Sequence, residues 1–435
     1  MNRAKLLVDG HRILPELLRD LREARRYIHV SIFLFFRDPI GEQIAQVLAE
    51  KAREGVSVRV LINVEKTDMG DPFSTAEKAM MKHDPNVHHN PTKVEPLCDW
   101  MREQGISVAD TNIDYDRVVH VPDARLASIA AQIRDTIEVD DLHVDHRKIV
   151  VIDGCVAYCG GANFGAQYLY HLPFDPLREA TEEGDERKNA GLPEPWWKWH
   201  DSLTRFEGPI VQEMEEHFRA RWLLDGGADY PRETPLSPPG RGDWIVSAHL
   251  LLNEPDAKPN QVTEKYVELI ESARESIFIE NPYLYHGAIV EALLKAKRAR
   301  PSLPVVLMMP SAKQNDNSFA QDAQQHHYPE YLAAGIDVYE YQNHFNHLKL
   351  AVFDGRWSIH GSTNLNYRSL EPDKDFELNV LVDDKGMADF ALREVRDVDI
   401  RYAKKFGPED LRGFAGRRVR TRDPRTLFLL SRKVL

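Results

Sequence analysis

One pattern, written twice at equivalent points of a duplicated chain, constrains this fold more than any other feature. The first copy reads His146-Arg147-Lys148-Ile149-Val150-Val151-Ile152-Asp153, then six residues, then Gly160-Gly161-Ala162-Asn163. The second reads His347-Leu348-Lys349-Leu350-Ala351-Val352-Phe353-Asp354, then six residues, then Gly361-Ser362-Thr363-Asn364. Both are H-x-K-x4-D-x6-G-[GS]-x-N. One bare H-x-K-x4-D would be a weak motif; two with matching tails are not accidental. The flanking text repeats too: REARRYIHVSIFLFF against IESARESIFIENPYLY, and EGVSVRVLIN against PSLPVVLMMP. Duplication at this scale predicts two similar lobes related by a pseudo-twofold axis.

Each copy alternates helix and strand. Leu14, Leu17, Leu18 and Leu21 recur at helical spacing, and the apolar run Tyr27 to Phe36 reads as a buried strand. A helical pattern follows over 41–54, stopped by Gly55, and then a strand over 56–63. In the second copy a helix around Tyr266 to Ala273 leads a strand at 276–279. A helix over 289–299 and a strand over 305–309 complete it. Helix and strand in alternation favour a parallel sheet with helices packed on it. The Pro- and Gly-dense stretch 225–240 is the linker, which divides the chain into lobes 1–235 and 236–435. Two stretches, 67–142 and 171–198, read as insertions. The first carries an amphipathic helix with Leu126, Ile129, Ala130, Ile133 and Ile137 on one face, and the second reads as an exposed loop or a lid.

His and Lys at i and i+2 of a strand point to the same side and can address one ligand. Asp153 and Asp354 fall at the next turn, where the structural role of an Asx-turn residue is the favoured reading. Glycines after the following strand, Gly161 among them, and Ser362 at the matching place, allow close approach to an anion. Asn163 and Asn364 can donate to a phosphate oxygen. Two Lys and two Asn suit the equatorial oxygens of a phosphodiester. Two His can divide the work: one attacks phosphorus, the other protonates the departing alcohol and later deprotonates the incoming one. The lysines supply positive charge, so neither a metal nor another cofactor is expected.

These residues resemble the phospholipase D superfamily, and within it bacterial cardiolipin synthases, over nearly the whole chain. Trp199-His200-Asp201, followed by Arg205-Phe206-Glu207-Gly208-Pro209, is similar to the family's W-x-D…EGP segment, and the second motif runs on through Arg368 and Ser369 to Glu377. The resemblance implies an α/β fold of two αβαβα lobes, one active site at the lobe interface and a phosphohistidine intermediate. It implies that His146, Lys148, His347 and Lys349 are catalytic, with Asp201 orienting His146 and Glu377 orienting His347. It also makes His146 the nucleophile and His347 the general acid/base, although internal symmetry leaves the reverse open. His200 departs from the resemblance, standing where the family often has Arg, and the two insertions are unusual in length.

The net charge is −13, which offers no bulk attraction to nucleic acid or anionic lipid. Nucleic acid is therefore the less favoured substrate. No apolar run is long enough to span a membrane and no signal peptide is legible. Three cysteines, Cys98, Cys155 and Cys159, form no disulfide framework and read as buried small residues of a reduced, cytoplasmic protein. His143 and His344 read as neighbours of the motifs rather than catalysts, and His326-His327 is not a metal pair. Trp196, Trp197 and Trp199 suit either packing or an interfacial anchor. The tail 417–435, rich in Arg and Leu, suits either a membrane surface or packing against a lobe. The expected enzyme is a phosphatidyltransferase working peripherally on a phospholipid such as phosphatidylglycerol. A hydrolytic phospholipase D is the alternative, and the oligomeric state stays open.

Overall fold

The duplicated sequence folds into one continuous sheet whose two halves mirror each other strand for strand. The computed structural model describes residues 1–69, 93–111, 144–171, 198–254 and 260–413, apart from 313, 316, 343, 372 and 373. The amphipathic helix expected at 126–137, most of both insertions, His143, Trp196, Trp197 and the tail 417–435 lie outside these residues.

The first half holds β1 (Asn2–Val8), β2 (Tyr27–Ile32), β3 (Ser57–Ile62), β4 (Ser107–Asp110), β5 (Lys148–Ile152), β6 (Val156–Gly160) and β7 (Ser202–Glu207). The second holds β8 (Trp244–Asn253), β9 (Ile277–Glu280), β10 (Val305–Pro310), β11 (Asp337–Tyr341), β12 (Leu350–Phe353), β13 (Trp357–Gly361) and β14 (Glu377–Asp383). A short β15 (Ala403–Lys405) caps the outer edge of the second half. The spatial order is β15-β11-β10-β9-β12-β13-β14-β8-β1-β7-β6-β5-β2-β3-β4. Read outward from the β8–β1 junction, the two halves have the same order. That junction is antiparallel, with Arg3 opposite Ile245. Between the helix Pro209–Leu224 and β8 the chain has neither helix nor strand, as the Pro/Gly-rich stretch predicts.

Among the described residues the expected helices and strands are present, although the strand read over Tyr27 to Phe36 ends at Ile32, and the sheet is mixed rather than parallel. The outer trios β2–β3–β4 and β9–β10–β11 are parallel, whereas β5, β6, β7 and β1 pair antiparallel, as do their counterparts. A parallel pair needs a crossover helix, and Pro39–Arg53 supplies it between β2 and β3. Its N-cap is Asp38, whose carboxylate accepts from the Ile40 and Gly41 N–H groups. The motif strands are too close in sequence for such a helix and turn back as hairpins instead.

Asp153 makes that hairpin. Asp153 and Gly154 have φ of 52° and 64°, and the turn closes with the Cys155 N–H donating to the Ile152 carbonyl at 3.0 Å. A type I′ turn demands this left-handed pair, which Asp-Gly tolerates well. The Asp153 carboxylate then accepts from the backbone N–H groups of Arg25, Arg26 and Tyr27 at 2.8–2.9 Å, pinning the start of β2 to the hairpin. Asp354 repeats the arrangement on Arg274, Glu275 and Ser276. Both aspartates of the repeated motif are thus structural. Asp153→Ala orphans three donors and places a side chain without local hydrogen bonding at positive φ. It should cost roughly 2–4 kcal/mol, read as a lowered urea midpoint with the fold retained.

Strands β5, β6 and β7 are buried on both faces. One apolar cluster, with Leu6, Ile149, Phe206, Val246, Leu350 and Val380 among its members, runs across both halves. Cys98, Cys155 and Cys159 are buried and free, and Trp199 packs in the interior.

Candidate active site

The segments that enter β5 and β12 carry the two histidines, and each is held by the opposite half of the sheet. The His146 N–H donates to the Phe376 carbonyl at 3.0 Å and the Phe376 N–H to that of Val144 at 2.9 Å. The related pair has the His347 N–H on the His200 carbonyl at 2.8 Å and the His200 N–H on that of Phe345 at 3.0 Å. Each motif therefore docks beside the residue that precedes the other half's carboxylate: Phe376 before Glu377, His200 before Asp201.

This docking overturns the expected pairing. His146 Nδ1 donates to Glu377 Oε1 at 2.9 Å, and His347 Nδ1 lies 2.7 Å from Asp201 Oδ2. Asp201 orients His347, and Glu377 orients His146. The spacing H-x-K places His and Lys on one strand but is silent about which half's carboxylate reaches the ring. The exchange arises because Asp201 stands immediately before β7 and Glu377 begins β14, and these strand starts abut the partner motif.

Gly161 and Ser362, expected to approach an anion, contact these carboxylates. A Cβ on Gly161 would lie 2.2 Å from Asp201 Oδ1, so only glycine leaves room there. The Ser362 hydroxyl donates to Glu377 and accepts from the Leu378 N–H at 3.1 Å. Asn163 Oδ1 accepts from the Leu34 N–H at 3.1 Å, while Asn364 Oδ1 is buried with no hydrogen-bond partner. Lys148 Nζ donates to the His146 carbonyl at 2.6 Å and Lys349 Nζ to the His347 carbonyl at 2.7 Å, which folds both ammonium groups back beside the imidazoles. Aromatic rings complete the walls. Phe33 meets His146 edge-on at 5.0 Å and lies 5.0 Å below Lys148 Nζ; Trp199 and Phe345 sit 5.0 and 5.5 Å from His347. His344 is buried nearby.

The two pairs differ electrically. Burial would raise the Glu377 carboxyl, but His146, Lys148 and the Ser362 hydroxyl outweigh it and hold Glu377 below its usual range. Burial lowers His146 against the pull of Glu377, so that ring is neutral beside an ionised carboxylate. In the other pair, burial pushes Asp201 up to about 7 despite Lys349 and the Ser202 N–H. Burial, Lys349 and Lys148 hold His347 well below the ordinary histidine range. Burial and the neighbouring Lys349 pull Lys148 down to about 7, against Glu377. Near neutrality the Asp201 carboxyl is therefore partly protonated beside a neutral His347, whereas Glu377 beside His146 is ionised.

A protein-family model described as "Cardiolipin synthase, PLD-like domain" matches residues 17–172 and 266–397. The chain is similar to "Probable cardiolipin synthase YwiE" of Bacillus subtilis (strain 168), 28% identical over 99% of this chain and 72% of that protein. It is 25% identical to "Cardiolipin synthase 2" of Staphylococcus epidermidis over 94% of this chain and 70% of that one. It is also 25% identical to "Cardiolipin synthase" of Listeria welshimeri, over 89% of this chain and 66% of that one. The crystal structure of phosphatidylserine synthase from Haemophilus influenzae Rd KW20 shares the fold, with a TM-score of 0.61 at 14% identity over 99% of this chain and 95% of that one.

Proposed function

Because the chain belongs to the family of cardiolipin synthase, phospholipase D-like domains, we propose that it is a phosphatidyltransferase acting through a phosphohistidine at His146. The observation that carries this reading is the pair of histidines, half-buried His146 and buried His347, each bonded through Nδ1 to a carboxylate of the other half and each flanked by a lysine.

With Nδ1 donating to ionised Glu377, the His146 Nε2 lone pair is free. It attacks the phosphorus of a phosphatidyl ester, a P–N bond forms, and the P–O bond to the head-group alcohol breaks. The departing oxygen takes its proton from His347 Nε2, and the proton held between Asp201 and Nδ1 moves onto the ring to replace it. In the second step His347 removes the proton of an incoming alcohol as its oxygen attacks phosphorus, and His146 leaves with its electron pair. Glu377 supports the positive imidazole of the intermediate, while Lys148, Lys349 and the amides of Asn163 and Asn364 face the phosphoryl oxygens. The lobes 1–235 and 236–435 each supply one histidine and the other's carboxylate. Among the described residues no helix is long and apolar enough to cross a membrane. The proposed setting is accordingly the membrane surface, with phosphatidylglycerol as donor and a second lipid head group as acceptor.

Phosphatidylglycerol liposomes with purified protein test this by mass spectrometry of the products. Cardiolipin and glycerol are expected; phosphatidic acid would replace transfer with hydrolysis, and no lipid product would remove the substrate class. Turnover at saturating lipid should be bell-shaped in pH. It falls on the acid side as His146 gains a proton below the ordinary histidine range. It falls above about 7 as Lys148 and the Asp201–His347 pair lose theirs.

A further inference from the structure

The pseudo-twofold is broken beside the site. At one junction Phe376 is covered by Arg147 and Arg221, whose guanidinium carbons lie 5.2 and 4.6 Å from the ring centre, and Arg147 is paired with Asp145 at 2.7 Å. At the other junction His200 stands where Phe376 stands, and Asn346 where Asp145 stands. His200 is buried, and both ring nitrogens face carboxylates: Nδ1 lies 2.8 Å from Asp9 Oδ1, and Nε2 lies 3.1 Å from Asp399 Oδ2.

A neutral imidazole has one donor and one acceptor, whereas an imidazolium donates from both nitrogens. Glu280 adds a third buried carboxylate to the group and accepts from Asn346. Tyr341 stacks on the His200 ring at 5.4 Å, Tyr170 adjoins Asp9, and Asp201 is the next residue along the chain. Three carboxyl groups thus surround one possible cation in a dry interior, where an unbalanced charge is expensive. Burial pushes Glu280 well above the usual carboxylate range and raises Asp399, so His200 need not balance three negative charges. Burial opposes charge on His200, but Asp399 and Asp9 prevail and raise its pKa well above the ordinary value.

The backbone ties this group to the chemistry. The Asp9 N–H donates to the Asp201 carbonyl at 2.8 Å, and Asp9 is held at φ 68°, a costly conformation for a residue other than glycine. The His200 carbonyl takes the His347 N–H, and Asn346, which answers to Glu280, immediately precedes His347. We propose that His200 is a positioning residue whose imidazolium charge locks the lobe junction and so sets the Asp201–His347 pair. This rests on the reading of His347 as the acid/base.

The sign follows from the direction of the shift. The lock is complete below the ordinary histidine pKa and is lost as pH rises through the raised one. In contrast to Lys148 and Asp201, its loss should be removed by a permanent cation at the same place.

The test uses the whole chain with phosphatidylglycerol liposomes, His200→Gln and His200→Arg, and 15N NMR of the histidine rings, with His200 assigned by its disappearance in the Gln variant. Imidazolium shifts at both His200 nitrogens at pH 8 are expected. His200→Gln should lower kcat roughly 10–100-fold with KM within about twofold, and His200→Arg should restore most of the loss. A neutral ring at pH 7, an unchanged kcat in His200→Gln, or a stoichiometric divalent metal on His200 found by elemental analysis would each overturn the proposal. Should the wild-type protein turn over no phospholipid, the functional reading fails while the ring spectrum still decides the charge of His200.

Discussion

His146→Ala should abolish turnover on every phosphatidyl ester, whereas His347→Ala should be rescued in its first step by a leaving group that needs no proton. An imidazole that forms the P–N bond has no substitute in alanine, so a loss of at least ~10³-fold is expected, about 4 kcal/mol of transition-state stabilisation. General acid catalysis is worth a similar factor, but only when the departing oxygen is a poor leaving group. Phosphatidyl-p-nitrophenol releases a stable phenolate. With that ester His347→Ala should give a burst of nitrophenol stoichiometric with enzyme and then stall, because no base activates the second alcohol. His146→Ala should give no burst. Stopped-flow absorbance separates the two, and a burst in His146→Ala but not in His347→Ala would reverse the roles.

Much of this arrangement is legible in the sequence. The duplicated motif required two matching lobes, and β1–β7 and β8–β14 do share one order about the β1–β8 junction. The Asp-Gly pair after IVVI and LAVF marked a turn, and Asp153 and Asp354 proved to be turn residues with φ of 52°. Local spacing encodes such features, because they depend on neighbours a few residues away. What it does not encode is reach across the molecule. Asp201 and Glu377 were both found as carboxylates, yet their partners were exchanged, since no periodicity says which half a strand end abuts. Gly161 and Ser362 were likewise placed at the site, but their service to Asp201 and Glu377 depends on contacts 15 residues or more along the chain. The central strand Asn2–Val8 was missed because charged Arg3 and Lys5 hide its alternation; the apolar alternation of its counterpart β8 was the available signal. The Asp9–His200–Asp399 group joins residues 191 and 199 positions apart, and only the departure of His200 from the family pattern hinted at it.

The exchanged carboxylates make the sharpest prediction, because the two amide substitutions should differ in kind. Glu377→Gln is nearly isosteric, and with its amide oxygen kept on the Ser362 hydroxyl it turns its NH2 to His146 Nδ1, a donor where there had been an acceptor. The ring must then carry its proton on Nε2, which removes the attacking lone pair; a loss of ~10³–10⁴-fold is expected from the wrong tautomer alone. No choice of leaving group can repair it, so neither the natural lipid nor the nitrophenyl ester should react. Asp201→Asn imposes the same tautomer on His347, but there Nε2–H is the state an acid starts from. What it loses is the proton shared with Asp201 that follows the first one onto the ring. The natural lipid should react ~10²-fold or more slowly, and the alkaline limb set by the pair should disappear. The nitrophenyl burst should survive. Had Asp201 served His146, the ranking of the two variants on the activated ester would be inverted, so one burst experiment with Glu377→Gln beside Asp201→Asn tests both the crossed hydrogen bonds and the direction of catalysis.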